Sequence, residues 1–253
     1  YPEDITIGSL AGAGTLGLLI PPSIIMIVYG VAADVSIAKL FIAGVLPGIL
    51  LAALFSGYLM AWALMNPAKV PRPDRVMSLG ERLHESRHLI PVVILITAVL
   101  GSIYTGVATA TEAAAVGVVG SLLLSLVQGS LNWQTFRDSL MGATRLYCMI
   151  ALILAGAAFL TLSMGYIGLP RHLAEYISGL GLSPFVLVVA LALFFIVLGC
   201  FMDGISIVVL TMGVLLPTVQ AAGIDLIWFG IFVVVVVEMA QITPPVGFNL
   251  FVL

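Results

Sequence analysis

The chain has 253 residues, of which 62% are hydrophobic and 8% charged, with a mean hydropathy of +1.24. A soluble domain carries roughly 25% charge, so this composition excludes one and points to an all-α polytopic membrane protein. The apolar runs are too long and too unalternating for a transmembrane β-barrel. The net charge of −3 says little, because the position of charges matters more than their sum, and no nucleic-acid partner is expected. Cys148 and Cys200 lie in apolar runs and read as small buried hydrophobes. Tyr1 is not an initiating methionine and Leu253 ends inside an apolar segment, so the chain is read as a fragment of a longer protein.

The first span, Pro2 to Leu19, is rich in Gly and Ala and suits close helix packing. Pro21 and Pro22 then break it, because neither donates a backbone hydrogen bond and each clashes with the preceding turn. A short half-helix, Ile24 to Val31, follows. Ala32 to Lys39 is a polar turn, and Leu40 to Leu64 is long enough to cross. The segment 66–88 carries Lys69, Arg72, Arg75, Arg82 and Arg87, five of the nine basic residues. Short basic loops stay on the cytoplasmic side, so this loop is placed there. Leu89 to Tyr104 crosses next, Thr105 to Glu112 turns, and Ala113 to Val127 returns. Asn132 to Arg145 is amphipathic and reads as an interfacial arm. Leu146 to Tyr166 crosses again, and Pro170 to Gly181 is a short polar helix. With the basic loop inside, the inside loops hold seven of the nine basic residues and the outside ones only Lys39 and Arg171.

Pro184 to Leu198 and the return to Pro217 are each short for a bilayer core of roughly 30 Å. Between them lies Gly199 to Ser206, GCFMDGIS. The economical reading is a re-entrant hairpin with Asp203 at its tip. The last helix, Ile224 to Ala240, is broken in turn by Pro244 and Pro245, beside Glu238, Gln241, Thr243 and Asn249. The hairpin makes the two Pro-Pro-broken helices antiparallel, as inverted repeats require. Paired broken spans of this kind point to an ion or substrate site in a secondary transporter.

A break at membrane depth strands backbone groups that lipid cannot satisfy. Exposed carbonyls suit a hard cation such as sodium, and amide-rich half-helix starts suit an anion. Asp203 has two open roles, cation ligand or acceptor for the tip amides, of which the second is preferred. Thr109 with Glu112 fits a capping box. Glu238 faces a bundle partner or the break. No phosphate-binding loop is present, so ATP hydrolysis is not supported. Asp203 has no aspartate partner for an intramembrane protease, and the three histidines lie in polar segments.

Gly14 to Tyr29 (GTLGLLIPPSIIMIVY), Thr109 to Ala115 (TATEAAA), Phe201-Met202-Asp203, and the final QITPPVGFNLF together resemble the large membrane subunit of tripartite ATP-independent periplasmic (TRAP) transporters. The resemblance covers nearly the whole chain. One departure is Ala110, where the family's turn carries proline. The resemblance implies an inverted-repeat, elevator-type fold. Residues 1–31 and 183–253 would belong to the transport domain and 40–127 to the scaffold. Residues 128–145 would be the arm, and 146–182 a connecting span with its short helix. It implies no enzymatic activity and no cofactor, with Na+ as coupling ion.

On that resemblance, Leu19, Ile20, Pro21 and Ser23 would contribute to one sodium site. Gly199, Asp203, Thr243, Pro244, Val246, Gly247 and Asn249 would contribute to a second. Pro22, Ser23, Gly204 and Pro245 would face the solute. The implied partners are a small membrane subunit, a periplasmic substrate-binding protein, a small carboxylated solute and membrane lipid, in a bacterial inner membrane. The alternatives are a sodium-coupled divalent-anion carrier without a binding protein, and a non-transporting assembly subunit.

Overall fold

The computed structural model describes residues 2–71, 78, 80–81 and 86–243, and among them every regular element is helical. The chain divides into two compact units, Tyr1–Asn66 with Cys148–Leu253, and Pro67–Tyr147.

In the first unit, α1 (Glu3–Leu19) and α2 (Ile24–Ala32) are separated by the expected break and bend by 42°. α1 has 17 residues, about 26 Å at about 1.5 Å per residue, so it stops short of a bilayer core of about 30 Å. α3 (Ile37–Met65) keeps Pro47 in its interior and begins three residues before the expected Leu40, where Ser36 accepts a hydrogen bond from the Lys39 amide. α3, expected among the scaffold helices, packs against α1, α2 and the last helix of this unit.

In the second unit, α4 (Ile90–Tyr104) and α5 (Ala110–Val127) form an antiparallel pair. Their close approach uses Gly117 beside Val99 and Gly120 beside Leu95. The capping box is present: the Glu112 amide donates to Thr109 Oγ1, and the Thr109 amide donates to Glu112 Oε2 at 2.8 Å. Lys69 and Arg87 of the basic loop are described, while Arg72, Arg75 and Arg82 lie outside the described residues.

The expected interfacial arm and the span after it are one helix, α6 (Trp133–Ile167), with no break at Arg145. Gly142 and Gly156 are tolerated inside a helix, and no proline interrupts it. Its 35 residues run about 52 Å, enough to cross a core of about 30 Å with several turns to spare. The two units part within it. Cys148, read as buried, is exposed on α6, whereas Cys200 is buried as expected. An apolar run in such a chain need not point inward, and α6 buries only Ala157.

α7 (Leu169–Gly179) is the short polar helix, carrying an exposed Arg171–Glu175 ion pair at 2.8 Å. The Arg171 guanidinium holds the Glu175 carboxyl below its ordinary range, chiefly through that hydrogen bond. α8 (Pro184–Gly199) and α9 (Gly204–Ala221) are the two arms about Asp203. α8 packs mainly on α10 (Leu226–Gln241), and α9 on α7 and α2. An aromatic run, Tyr29, Phe229 and Phe195, fills the centre, with neighbouring rings 6.5 and 6.3 Å apart.

Gly230 makes that packing possible. A Cβ there would lie 2.5 Å from Tyr29 Cε1 and 2.9 Å from Leu40 Cδ2. Gly230→Ala should therefore lower stability by about 1–3 kcal/mol, the usual cost of overpacking. Gly8 in α1 has nothing within 4 Å of such a Cβ. Gly8→Ala should raise stability by about 0.5–1 kcal/mol through chain entropy. Denaturant titration in detergent would measure both, and equal effects would show that Gly230 is not a contact point.

Candidate functional site

The break between α1 and α2 solves its backbone accounting locally. Ile20 turns extended, and its amide still donates to the Leu16 carbonyl. The Ser23 hydroxyl donates to the Leu18 carbonyl and accepts from the Met26 amide at 3.3 Å, which caps α2. Leu19, Pro21 and Ser23 are buried, while Ile20 and Pro22 are exposed. The Pro21–Pro22 peptide is cis.

Two glycines of α3 carry this break. A Cβ on Gly48 would lie 3.0 Å from Ile20 Cγ1, and one on Gly44 3.4 Å from the Leu19 carbonyl oxygen. Sequence reasoning did not single them out. Their signal was present in the GxxxG spacing of Gly44 to Gly48, a close-approach pattern for helices in lipid.

At the turn between α8 and α9, Asp203 takes the preferred role. Its Oδ2 accepts the Ser206 amide at 3.0 Å and its Oδ1 accepts the Ser206 hydroxyl at 2.5 Å, so it caps α9. The tip is pressed against two other elements. Gly199 lies on Ala240 of α10. A Cβ on Gly204 would lie 2.6 Å from Ile25 Cδ1, 2.9 Å from Gln241 Nε2 and 3.0 Å from Val237 Cγ1. The tip, the start of α2 and the end of α10 therefore meet at one place. Gly199 and Gly204 allow the meeting because neither has a side chain.

The direction of the helices follows from the same contacts. The Tyr29 hydroxyl donates to the Leu226 carbonyl at 2.7 Å, tying the end of α2 to the start of α10. Ile25 and Gln241 share Gly204 at the other end. α2 and α10 are thus antiparallel. Thr243, two residues beyond α10, donates its hydroxyl to the Met239 carbonyl at 2.7 Å. Pro244, Pro245, Val246, Gly247 and Asn249 lie outside the described residues. The structure thus brings Ser23, Gly199, Asp203, Gly204 and Thr243 to elements that converge, with Leu19, Ile20, Pro21 and Pro22 at the break itself.

A family model described as "Tripartite ATP-independent periplasmic transporter, DctM component" matches residues 1–253. The chain is 37% identical over 253 residues to the C4-dicarboxylate TRAP transporter large permease protein DctM of Pseudomonas aeruginosa, covering 100% of this chain and 58% of that protein. It is 31% identical over 257 residues to the sialic acid TRAP transporter large permease protein SiaM of Vibrio cholerae, covering 100% and 58%. It is 31% identical over 254 residues to the isethionate TRAP transporter permease protein DctMQ of Oleidesulfovibrio alaskensis, covering 100% and 40%. The chain thus spans less than two thirds of the length of each of these relatives.

The cap at the tip gives a direct test. Asp203→Ala should cost about 1 kcal/mol and speed amide exchange at Ser206, whereas Asp203→Asn keeps an acceptor and should change both less. Equal exchange in the two variants would remove the cap as the reason for aspartate at this position.

Proposed function

Because the chain belongs to the DctM-component family of tripartite ATP-independent periplasmic transporters, we propose that it is the solute-carrying part of a sodium-driven importer in a bacterial inner membrane. As a member of a family of permeases, it is a transport component of a multi-pass membrane protein and not an enzyme. The solute class is a small carboxylated or similarly anionic molecule. The relatives' names support this, since they specify C4-dicarboxylate, sialic acid and isethionate. Delivery is by a periplasmic binding protein, and a small membrane subunit completes the complex. The segment 66–88 faces the cytoplasm in this reading.

One observation carries the proposal: a helix break, a hairpin tip and the end of α10 meet through Gly199, Gly204 and Ile25. Half-helix ends gathered at one place offer carbonyls to a cation and amides to an anion. Sodium would take Leu19, Ile20, Pro21 and Ser23 on one side. On the other it would take Gly199, Asp203 and Thr243 with Pro244, Val246, Gly247 and Asn249. The solute would meet Pro22, Ser23, Gly204 and Pro245. In an elevator cycle the hairpin and broken helices move as one body. The bare backbone of Gly44 and Gly48 then gives α3 a smooth face for that movement.

Uptake into proteoliposomes by the full-length complex tests the reading. Under an inward sodium gradient, uptake should need both sodium and the binding protein, and should proceed without ATP. Thr243→Ala combined with Asn249→Ala should raise the sodium concentration for half-maximal uptake, roughly tenfold if about 1.4 kcal/mol of ion binding is lost. An unchanged sodium requirement would take these residues out of the ion site. Uptake with sodium but no binding protein would replace the tripartite reading with a lone carrier.

A further inference from the structure

Neither proposed site uses Glu238. It lies in α10, is 2% exposed, and both its carboxylate oxygens are buried without a hydrogen-bond partner. The other described side-chain atom in this condition is the Thr218 hydroxyl, which carries no charge. Gly230 and Val234 precede Glu238 on the same helical stripe, two turns and one turn back. That stripe packs at Gly230 against Tyr29 and Leu40.

The helices packed on α10 are α1, α2, α3, α8 and α9. Their titratable groups are Glu3 and Asp4 in the first turn of α1, Tyr29 in α2, Lys39 and Tyr58 in α3, and Cys200 and Asp203 at the hairpin tip. Asp225 caps the start of α10 itself. None of them hydrogen-bonds to Glu238. Tyr29 is committed to the Leu226 carbonyl, and Asp203 to Ser206.

An isolated charge in such a place costs several kcal/mol. Something must neutralise it. A hard cation wants about six oxygen ligands. A proton needs only the carboxyl itself. We propose that the Glu238 carboxyl is a proton-binding site, filled in the packed arrangement described here and emptied when the surrounding helices part and admit water. Its consequence for uptake rests on the transport reading above; the bound proton does not. Repacking then requires the proton to return, so the cycle slows as protons become scarce.

The experiment uses the full-length permease with its partner subunits in proteoliposomes. Dicyclohexylcarbodiimide, an apolar reagent for protonated carboxyls, is applied across a pH series, and the labelled peptide is read by mass spectrometry. Labelling at Glu238 is expected at low pH, falling about tenfold per pH unit beyond its midpoint, as a one-proton site requires. In parallel, wild-type uptake at fixed sodium gradient should fall with rising pH. Glu238→Gln, a permanently neutral side chain of the same shape, should hold its rate.

Absence of label at every pH overturns the proposal, as does label that does not vary with pH, which would mark a fixed structural acid. Identical pH profiles for wild type and Glu238→Gln also overturn it. If Glu238→Gln fails to assemble, wild-type labelling decides alone. If sodium drives no uptake at all, the transport reading fails while labelling still reports on the proton.

Discussion

A helix that stops at membrane depth must satisfy its severed backbone from its own surroundings, because hydrocarbon supplies no donors or acceptors. The break after Leu19 meets this constraint with one side chain. Ser23 gives its proton to the Leu18 carbonyl and its oxygen to the Met26 amide, closing one helix and opening the next. A hydroxyl is suited to this because it donates and accepts at once. The prolines remove two donors that would otherwise need partners.

The convergence of elements depends on that local solution. Once α2 is capped, its first turn can lie flat against Gly204, and its last turn reaches α10 through Tyr29. Lipid offers apolar side chains no less than a protein interior does, so close packing replaces the hydrophobic effect as the source of cohesion. This is why the meeting points are glycines: Gly44 and Gly48 under the break, Gly199 and Gly204 at the tip, and Gly230 under Tyr29.

Much of this was legible in the sequence because Pro and Gly act locally. The Pro21-Pro22 break, the short half-helix after it, the capping box at Thr109 and Glu112, and the turn at Asp203 follow from residues within a few positions of each other. The ordered motifs gave the family for the same reason. Features set by a distant partner were not legible. Nothing near Arg145 says whether the amphipathic stretch stops there, and α6 runs through it because no breaker intervenes. Nothing near Cys148 says which way its face of the helix points. Glu238 was visible as a carboxylate near a break, but its lack of partners depends on five helices from both ends of the chain.

The same physics separates the helices into two kinds. The apolar windows of α5 and α6 are each 6% buried within the structure, whereas that of α9 is 50% buried. Residues such as Leu152, Phe159 and Tyr166 on α6 stand outward, at 75%, 74% and 92% exposure. An apolar surface of that extent is incompatible with water and needs lipid or another membrane chain against it. α9 and α10 instead turn their apolar faces to neighbouring helices, and the polar side chains they bury, Thr211, Thr218, Glu238 and Gln241, are covered by protein. A helix that is covered by protein can hold a carboxylate or a broken backbone, because its surroundings can be built to match. A helix covered by lipid cannot. The chemistry of this chain is therefore confined to the packed helices by the solvent around the others.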